Sequence, residues 1–410
     1  MKIIKRENYL SKIRPFYDSS YIKAITGIRR CGKSVLMEQI IDEIRDKGVD
    51  NNHIIYLNLE GKSGENITTR KKLENKLNKI IKDDDKYYIF IDEIQHIKRF
   101  EEAIASIRLS YNCSLFITGS NSKLLKGKLQ DKLTGRAKEF PMSPFTYKET
   151  KEFKLINDIE TNEEDFFDYL KWGGMPQRYE ELDEQGLVDY FQSLYQSIIE
   201  KDVFQSHKRI NRNAFLNVSN YIMMTSGRVF SATSIAKYLL NKTNEEELKS
   251  AAVTIANYQK YIAECFLVSE CKPYYIQGKQ ALNGTKKLYA IDLGLRNSFS
   301  NTIDTDDTFG LENLLYNELK ARGYDVRCGI MRNCEIDFVA IKGKKKCFIQ
   351  VAYYLEKQST IDREYGAFKN IHDASPKYVF SLDRVDTSRN GITHINIIDF
   401  LNDKIDINIS

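Results

Sequence analysis

The sequence predicts an α/β protein in three parts: a three-layer, mostly parallel sheet over residues 1–145, a helical and winged-helix-like region over 146–300, and a second α/β unit over 305–410. The first part rests on five short apolar runs, YIKAIT (21–26), HIIYLNL (53–59), YYIFIDE (87–93), SLFITGS (114–120) and AKEFPM (137–142). Helical patterns separate them, among them residues 33–47 and LENKLNKII, and strands alternating with helices imply parallel pairing with helices on both faces. From Thr146 the strand signals thin out. EEDFFDYLKW, GLVDYFQSLYQSIIEKDVF and RNAFLNVSNYIMM carry apolar residues at three- and four-residue spacing, the helical period. The third part opens with GLENLLYNELKARG (310–323), closed by Gly323, and continues through the strand candidates YDVRCG, CEIDFVAIKG, KKCFIQVAYYL and PKYVFSLD. The polar run SFSNTIDTDDTFG (298–310) marks the boundary before it.

Length and composition bound the function classes. A chain of 410 residues exceeds the usual single core, and 42% apolar with 29% charged residues, 6 Pro and 21 Gly excludes disordered or collagenous classes. The balance of 62 basic against 57 acidic residues leaves +5, too little over this length to imply nucleic-acid binding from bulk charge. The Cys residues at 31, 113, 265, 271, 328, 334 and 347 are scattered and form no CxxC pair, which fits buried thiols in a reducing compartment. The start, MKIIKRENYLSKIRPF, is broken by charges, and no 18-residue apolar run follows, so a soluble, cytoplasmic protein without a membrane partner is expected. Five His without HExxH-like spacing lend little support to an imidazole metal site.

The sharpest signal is Gly27-Ile28-Arg29-Arg30-Cys31-Gly32-Lys33-Ser34, a full GxxxxGK[ST] directly after a strand and at the start of the helix from about Lys33, with Gly27 through Val35 as the expected nucleotide-binding residues. Its glycines let backbone N–H groups wrap phosphate oxygens, Lys33 can reach the β- and γ-phosphates of ATP, and Ser34 can ligate Mg²⁺. Arg29 and Arg30 lie within the loop, where one can brace an acidic partner. A second element, Tyr88-Ile89-Phe90-Ile91-Asp92-Glu93, runs four apolar residues into two acids. Asp92 at a strand end suits the Mg²⁺ shell, and Glu93 suits the attacking water. A third strand delivers Ser120 and Asn121 to the C-terminal sheet edge, where Ser120 is the favoured partner for the γ-phosphate or the water. Arg136, in LTGR, can stabilise transition-state charge in its own subunit or a neighbour's.

The middle region contains FSATSIAKYLLNKTNEEELKSAAVTIANYQKYIAECFLVSECKPYY, which reads as helix, turn, helix and an extended pair. Its second helix carries Thr254, Asn257, Gln259 and Lys260, able to meet bases or phosphates. Glu245 to Glu247 stand just ahead and few positive charges form a phosphate track, so a packing or protein-binding unit fits equally.

GIRRCGKS, FIDEIQ, ITGSNSKLL, LTGRAKEFPMSPFTYKE and KWGGMP together resemble a family of bacterial and archaeal AAA-type ATPases with an uncharacterised C-terminal domain. The resemblance implies a P-loop NTPase core of the additional-strand type, a winged-helix-like middle and a C-terminal fold similar to restriction endonucleases. It places Lys33, Ser34, Asp92 and Glu93 at nucleotide-site positions and Ser120 at a polar sensor position. Nucleases of that fold gather divalent metal on a helix acid, a strand-end acid and an acid-x-lysine pattern. Glu312 and Asp337 match the first two positions. Gln350 and Ala352 stand where the acid and lysine belong, so a degenerate domain used for binding or assembly is expected, without nuclease activity. The function expected is Mg²⁺-dependent ATP hydrolysis driving conformational change, with a nucleotide-gated DNA- or protein-binding module of little turnover as the alternative. A homo-oligomer remains open.

Overall fold

The computed structural model describes residues 1–61, 64, 66–122, 135–181, 183–240, 245–276, 286–299, 308–331 and 334–409. The polar run at 298–310 and parts of the LTGR and ITGSNSKLL segments fall largely outside them. Two compact units result, one of residues 3–144 with 264–266, the other of 1–2, 145–263 and 267–410.

In the first unit, β1 (Ile22–Thr26), β2 (Ile54–Asn58), β3 (Tyr87–Asp92), β4 (Cys113–Gly119) and β5 (Ala137–Pro141) form one sheet in the order β2-β3-β4-β1-β5. Every pairing in it is parallel. β4 therefore stands between the strand that feeds the phosphate loop and the strand that ends in the two acids. Period-two alternation explains the layers. Ile22, Ala24, Ile89, Ile91, Leu115 and Ile117 face one core with Leu73, Leu77, Ile104 and Ile107 of two helices. On the other face Phe90 stacks on Phe116 at 4.4 Å between ring centroids, a pair worth about 1 kcal/mol beyond its buried area.

The second unit holds an eight-stranded mixed sheet in the order β13-β12-β11-β10-β9-β7-β8-β6. Its strands are β6 (Val229–Phe230), β7 (Val268–Tyr275), β8 (Lys286–Ala290), β9 (Asp325–Ile330), β10 (Glu335–Lys342), β11 (Lys345–Val351), β12 (Lys377–Ser381) and β13 (Ile392–Asn396). β7 pairs in parallel with β9, so the sheet runs across residue 300 and joins strands of the middle and C-terminal regions. The helix Thr308–Ala321 packs Leu311, Leu314, Leu315 and Leu319 against one sheet face with Phe338, Ile349 and Phe380. On the opposite face Tyr365, Phe368 and Ile371 meet Val339, Phe348 and Val379. The helices Ala232–Leu240 and Glu245–Glu264 precede β7 and β8 in the chain. No helix among the described residues is long and apolar enough to cross a membrane.

Candidate nucleotide site

The parallel register aligns the C-terminal strand ends: Thr26 opposes Gly119, and Asn58 opposes Asp92. Gly27, Glu93 and Ser120 therefore leave the sheet along one edge, where ligands bind in open α/β folds. Gly27 is required by close approach, since a Cβ there would lie 2.2 Å from the Met142 carbonyl oxygen. Gly32 takes φ 101° and caps the helix Lys33–Asp46 with no side-chain acceptor, which leaves the first-turn N–H groups of Lys33, Ser34 and Val35 facing the loop. From beneath, fully buried Arg6 donates to the Cys31 carbonyl at 3.3 Å and to the Ser143 carbonyl at 3.0 Å, and this ties the loop to the exit of β5. Cys31 is buried with its thiol 3.7 Å from the Met142 carbonyl, and burial pushes its pKa up, so it packs as an inert thiol. Arg29 turns to Glu60 at 3.0 Å, the acidic brace considered above, while Arg30 is exposed with φ 64°.

Lys33 is the centre of the site. Its side chain is 3% exposed and its Nζ donates to the carbonyls of Gly27 and Ile28, both at 3.1 Å. The same Nζ lies 3.6 Å from Glu93 Oε1. Glu93 adopts φ 55° and ψ 52°, a left-handed conformation that costs a non-glycine residue on the order of 1 kcal/mol. Thr118 holds it there: the Thr118 hydroxyl accepts the Glu93 N–H at 2.8 Å and donates to Asp92 Oδ1. Asp92 is fully buried and also accepts from the Tyr56 hydroxyl at 3.0 Å. Burial first, then the Asp92 charge, raises the Tyr56 pKa, which keeps the phenol a donor. Gln95 Nε2 donates to Glu93 Oε2 and, at 3.0 Å, to the Ser120 hydroxyl, while Gln95 Oε1 is buried with no hydrogen-bond partner among the described residues.

The structure thus gathers Lys33, Asp92, Glu93 and Ser120 at one sheet edge, with Ser34 and Val35 in the first helical turn and half-buried Asn121 following Ser120. Arg136 is not among them. It is exposed, and its carbonyl accepts the Ile22 N–H at 2.9 Å, beside the N-terminal end of β1. The phosphate loop leaves the other end of that strand, about 13 Å of backbone away. Three contacts escaped sequence reading. Gln95 stands in FIDEIQ two residues past Glu93. Thr118 precedes Gly119, and Tyr56 shares its side of β2 with Asn58, a placement that alternation in HIIYLNL makes available.

In the second unit, Glu312 on its helix and Asp337 on β10 do converge, with Gln350 on β11 beside them, while Ala352 is buried in an apolar layer. What the sequence did not foretell is Lys287 of β8, whose Nζ lies 2.9 Å from Glu312 Oε1. Burial, then the neighbouring Glu312 charge, holds the Asp337 pKa well above the usual carboxylate range. On the helix Glu245–Glu264, Thr254, Asn257 and Lys260 are exposed. Gln259 corrects the expectation of a fourth base-reading side chain: it is buried, donates to Glu270 at 2.7 Å and accepts from Lys286 at 2.8 Å.

Residues 19–151 match the AAA domain family, so the N-terminal unit carries an AAA-type P-loop domain, and residues 163–306 match a domain of unknown function, DUF8612. An uncharacterized protein of Haemophilus influenzae (strain ATCC 51907 / DSM 11121 / KW20 / Rd) is 29% identical over 402 residues, 97% of this chain and 98% of that one. An uncharacterized protein of Methanocaldococcus jannaschii is 28% identical over 368 residues, 85% and 78% of the two chains. Among solved structures, similarity extends to the Aeropyrum pernix ORC1 protein in complex with DNA (TM-score 0.33, 12% identity, 73% of this chain and 93% of that one). It also extends to AMPPCP-bound DnaA from Aquifex aeolicus (TM-score 0.30, 13% identity, 64% and 90%). Scores this low establish no shared overall fold.

Proposed function

We propose that this chain is a nucleotide-gated module: Mg²⁺ and ATP bind at the Gly27–Ser34 loop, and occupancy changes the contacts of Glu93, Gln95 and Ser120. The observation that carries this reading is the position of Lys33, whose ammonium is spent on two carbonyls of its own loop and on Glu93. A triphosphate offers that ammonium far more negative charge, so Lys33 moves to the β- and γ-phosphates and Glu93 loses its counter-charge. Gln95 passes the change to Ser120, since one amide nitrogen holds both. Ser34 and Asp92 would hold Mg²⁺, which when bound offsets the phosphate charge. The residues suit that role: Asp92 is buried and accepts hydrogen bonds from the Tyr56 and Thr118 hydroxyls, and Ser34 sits in the first turn of an uncapped helix.

A second reading, ATP hydrolysis that itself drives the conformational change, is favoured by Glu93. Once freed from Lys33, its carboxylate can take a proton from a water attacking the γ-phosphorus, giving ADP and phosphate, while Ser120 and Gln95 orient that water. Arg136 serves such a step only from a neighbouring subunit, given where its main chain lies. The second unit, with a degenerate restriction-endonuclease-like sheet, is then the binding part, directed at DNA or protein. Measuring ATP affinity and phosphate release on the intact chain, with and without duplex DNA, separates the readings. Tight ATP binding with slow release that a partner does not accelerate supports gating. Release stimulated by DNA supports the hydrolytic motor, and failure to bind ATP overturns both.

A further inference from the structure

The resemblance to restriction endonucleases implies a divalent metal on Glu312, Asp337 and the position of Gln350, and the second unit does bring these three side chains together. One oxygen of each carboxylate and both ends of the amide are already engaged within the protein. Glu312 Oε1 accepts from Lys287 Nζ at 2.9 Å and from the Tyr289 hydroxyl. Asp337 Oδ2 accepts the Val351 N–H at 2.9 Å. Gln350 is used at both ends: its Oε1 accepts the Asp337 N–H at 2.7 Å and its Nε2 donates to Glu364 at 2.9 Å. Among the described residues, the His, Cys, Asp and Glu side chains whose ligand atoms gather within 4.8 Å are His53, Asp83 and Asp85 in the other unit, not these carboxylates. A divalent ion does not fit the set as it stands.

An ammonium does fit. Lys287 Nζ stands 2.9 Å from Glu312 Oε1, 2.9 Å from Glu335 Oε1 and 3.8 Å from Asp337 Oδ1, with its side chain 8% exposed. Three carboxylates, one from the helix and two from β10, therefore surround one cation from β8, a strand separated from β10 in the sheet order by β9 and β7. We propose that Lys287 is the resident cation of this cluster and stands where the fold resemblance implies a metal, so that the second unit works without a divalent ion there. The irregular register of β10 between Ile336 and Val339 supports this reading, because it falls at Asp337 and re-aims that side chain. Mutual repulsion points the same way: with Glu312 buried and Asp337 and Glu335 gathered round the same ammonium, loss of that cation favours protonation or movement of one of them. The cost of this arrangement is lost adaptability: an ammonium tethered to β8 cannot leave, and a second, divalent cation meets its positive charge.

Mn²⁺ titration of the intact chain, followed by the loss of the free-ion EPR signal and by thermal melting, tests the proposal. Wild type is expected to take up the same Mn²⁺ as Glu312→Gln and Asp337→Asn variants, because no ion sits on those residues. Lys287→Met is expected to melt about 10 °C lower. It should gain one Mn²⁺ that restores part of the loss, and adding Glu312→Gln should abolish that gain. Mn²⁺ uptake by wild type that disappears in Glu312→Gln and in Asp337→Asn overturns the proposal. So does a folded Lys287→Met chain that takes up no additional ion. If Lys287→Met does not fold, the wild-type comparison with the two carboxylate variants decides alone.

Discussion

Lys33 Nζ and Glu93 Oε1 stand 3.6 Å apart, so the lysine of the Gly27–Ser34 loop and the acid that follows β3 form an ion pair across the candidate site. Each is also held by a second element, Lys33 by its own loop carbonyls and Glu93 by Gln95 and Thr118. On the proposed reading, ATP draws the lysine away from the first contact and so frees the acid.

Gln95 should behave as a positioning residue. Gln95→Leu is expected to lower the rate of phosphate release about 10-fold or more while ATP affinity changes less than about twofold, because the Gln95 amide nitrogen holds Glu93 and Ser120 and makes no hydrogen bond to Lys33 or the phosphate loop. Parallel binding and steady-state measurements check this. A loss confined to affinity would remove Gln95 from the site.

Gly27→Ala should damage the loop more than its size suggests. The new methyl meets the Met142 carbonyl oxygen at 2.2 Å, so the loop or β5 must shift, at a cost of about 1–3 kcal/mol. Lower denaturant midpoint and weakened ATP binding should appear together. An unchanged midpoint would mean the approach is looser than the structure describes.

Stability should rise with pH because of Lys23. This lysine is fully buried on β1, donating to the Ser19 carbonyl and the Ser114 hydroxyl above the Phe116 ring, with no carboxylate among these partners. Burial pulls its pKa down to about 7, against about 10.4 in the unfolded chain. Between those values the unfolded state binds the extra proton. Unfolding free energy therefore climbs from about pH 7 upward, by at most about 1.4 kcal/mol per pH unit, and the gain is absent below pH 7. Lys23→Met should flatten the climb and stabilise the protein near neutrality. A wild-type midpoint independent of pH between 7 and 9 would contradict this.

Arg136 should leave isolated subunits unaffected. Its main chain lies at the far end of β1 from the loop, so Arg136→Ala is expected to bind ATP normally and to hydrolyse it normally at high dilution. Any defect should grow with protein concentration. Activity regained on mixing Arg136→Ala with Lys33→Ala subunits would support action on a neighbour, whereas a defect independent of concentration would place the arginine in its own site.

Local spacing is what made the nucleotide loop legible, since eight consecutive residues between a strand and a helix specify both backbone and chemistry. Asp92 and Glu93 were legible for the same reason, as a strand end can be read from its own few residues. Gln95 and Ser120 are 25 residues apart and meet only because β3 and β4 are parallel neighbours, a pairing that no short segment encodes. Lys287 lies 25 residues before Glu312 and 50 before Asp337, on a strand whose place beside β7 depends on the whole sheet. In sequence it reads as one of two lysines in an unremarkable KKLYA run. The same long-range pairing of β7 with β9 hid the continuity of the eight-stranded sheet behind a polar stretch that looks like a boundary. Gln259 was misread because helical spacing does not say which face is covered when the covering strands come later.

Calorimetric titration of Mg·ATP into wild type, Lys33→Ala and Glu93→Gln chains tests the central claim most directly. If the lysine is held back by the acid, Lys33→Ala loses measurable binding, while Glu93→Gln binds at least as tightly as wild type because its lysine is no longer restrained by a carboxylate. Phosphate release measured on the same samples should stop in both variants. Equal ATP affinity in all three chains, or weaker binding by Glu93→Gln than by wild type, would contradict the account.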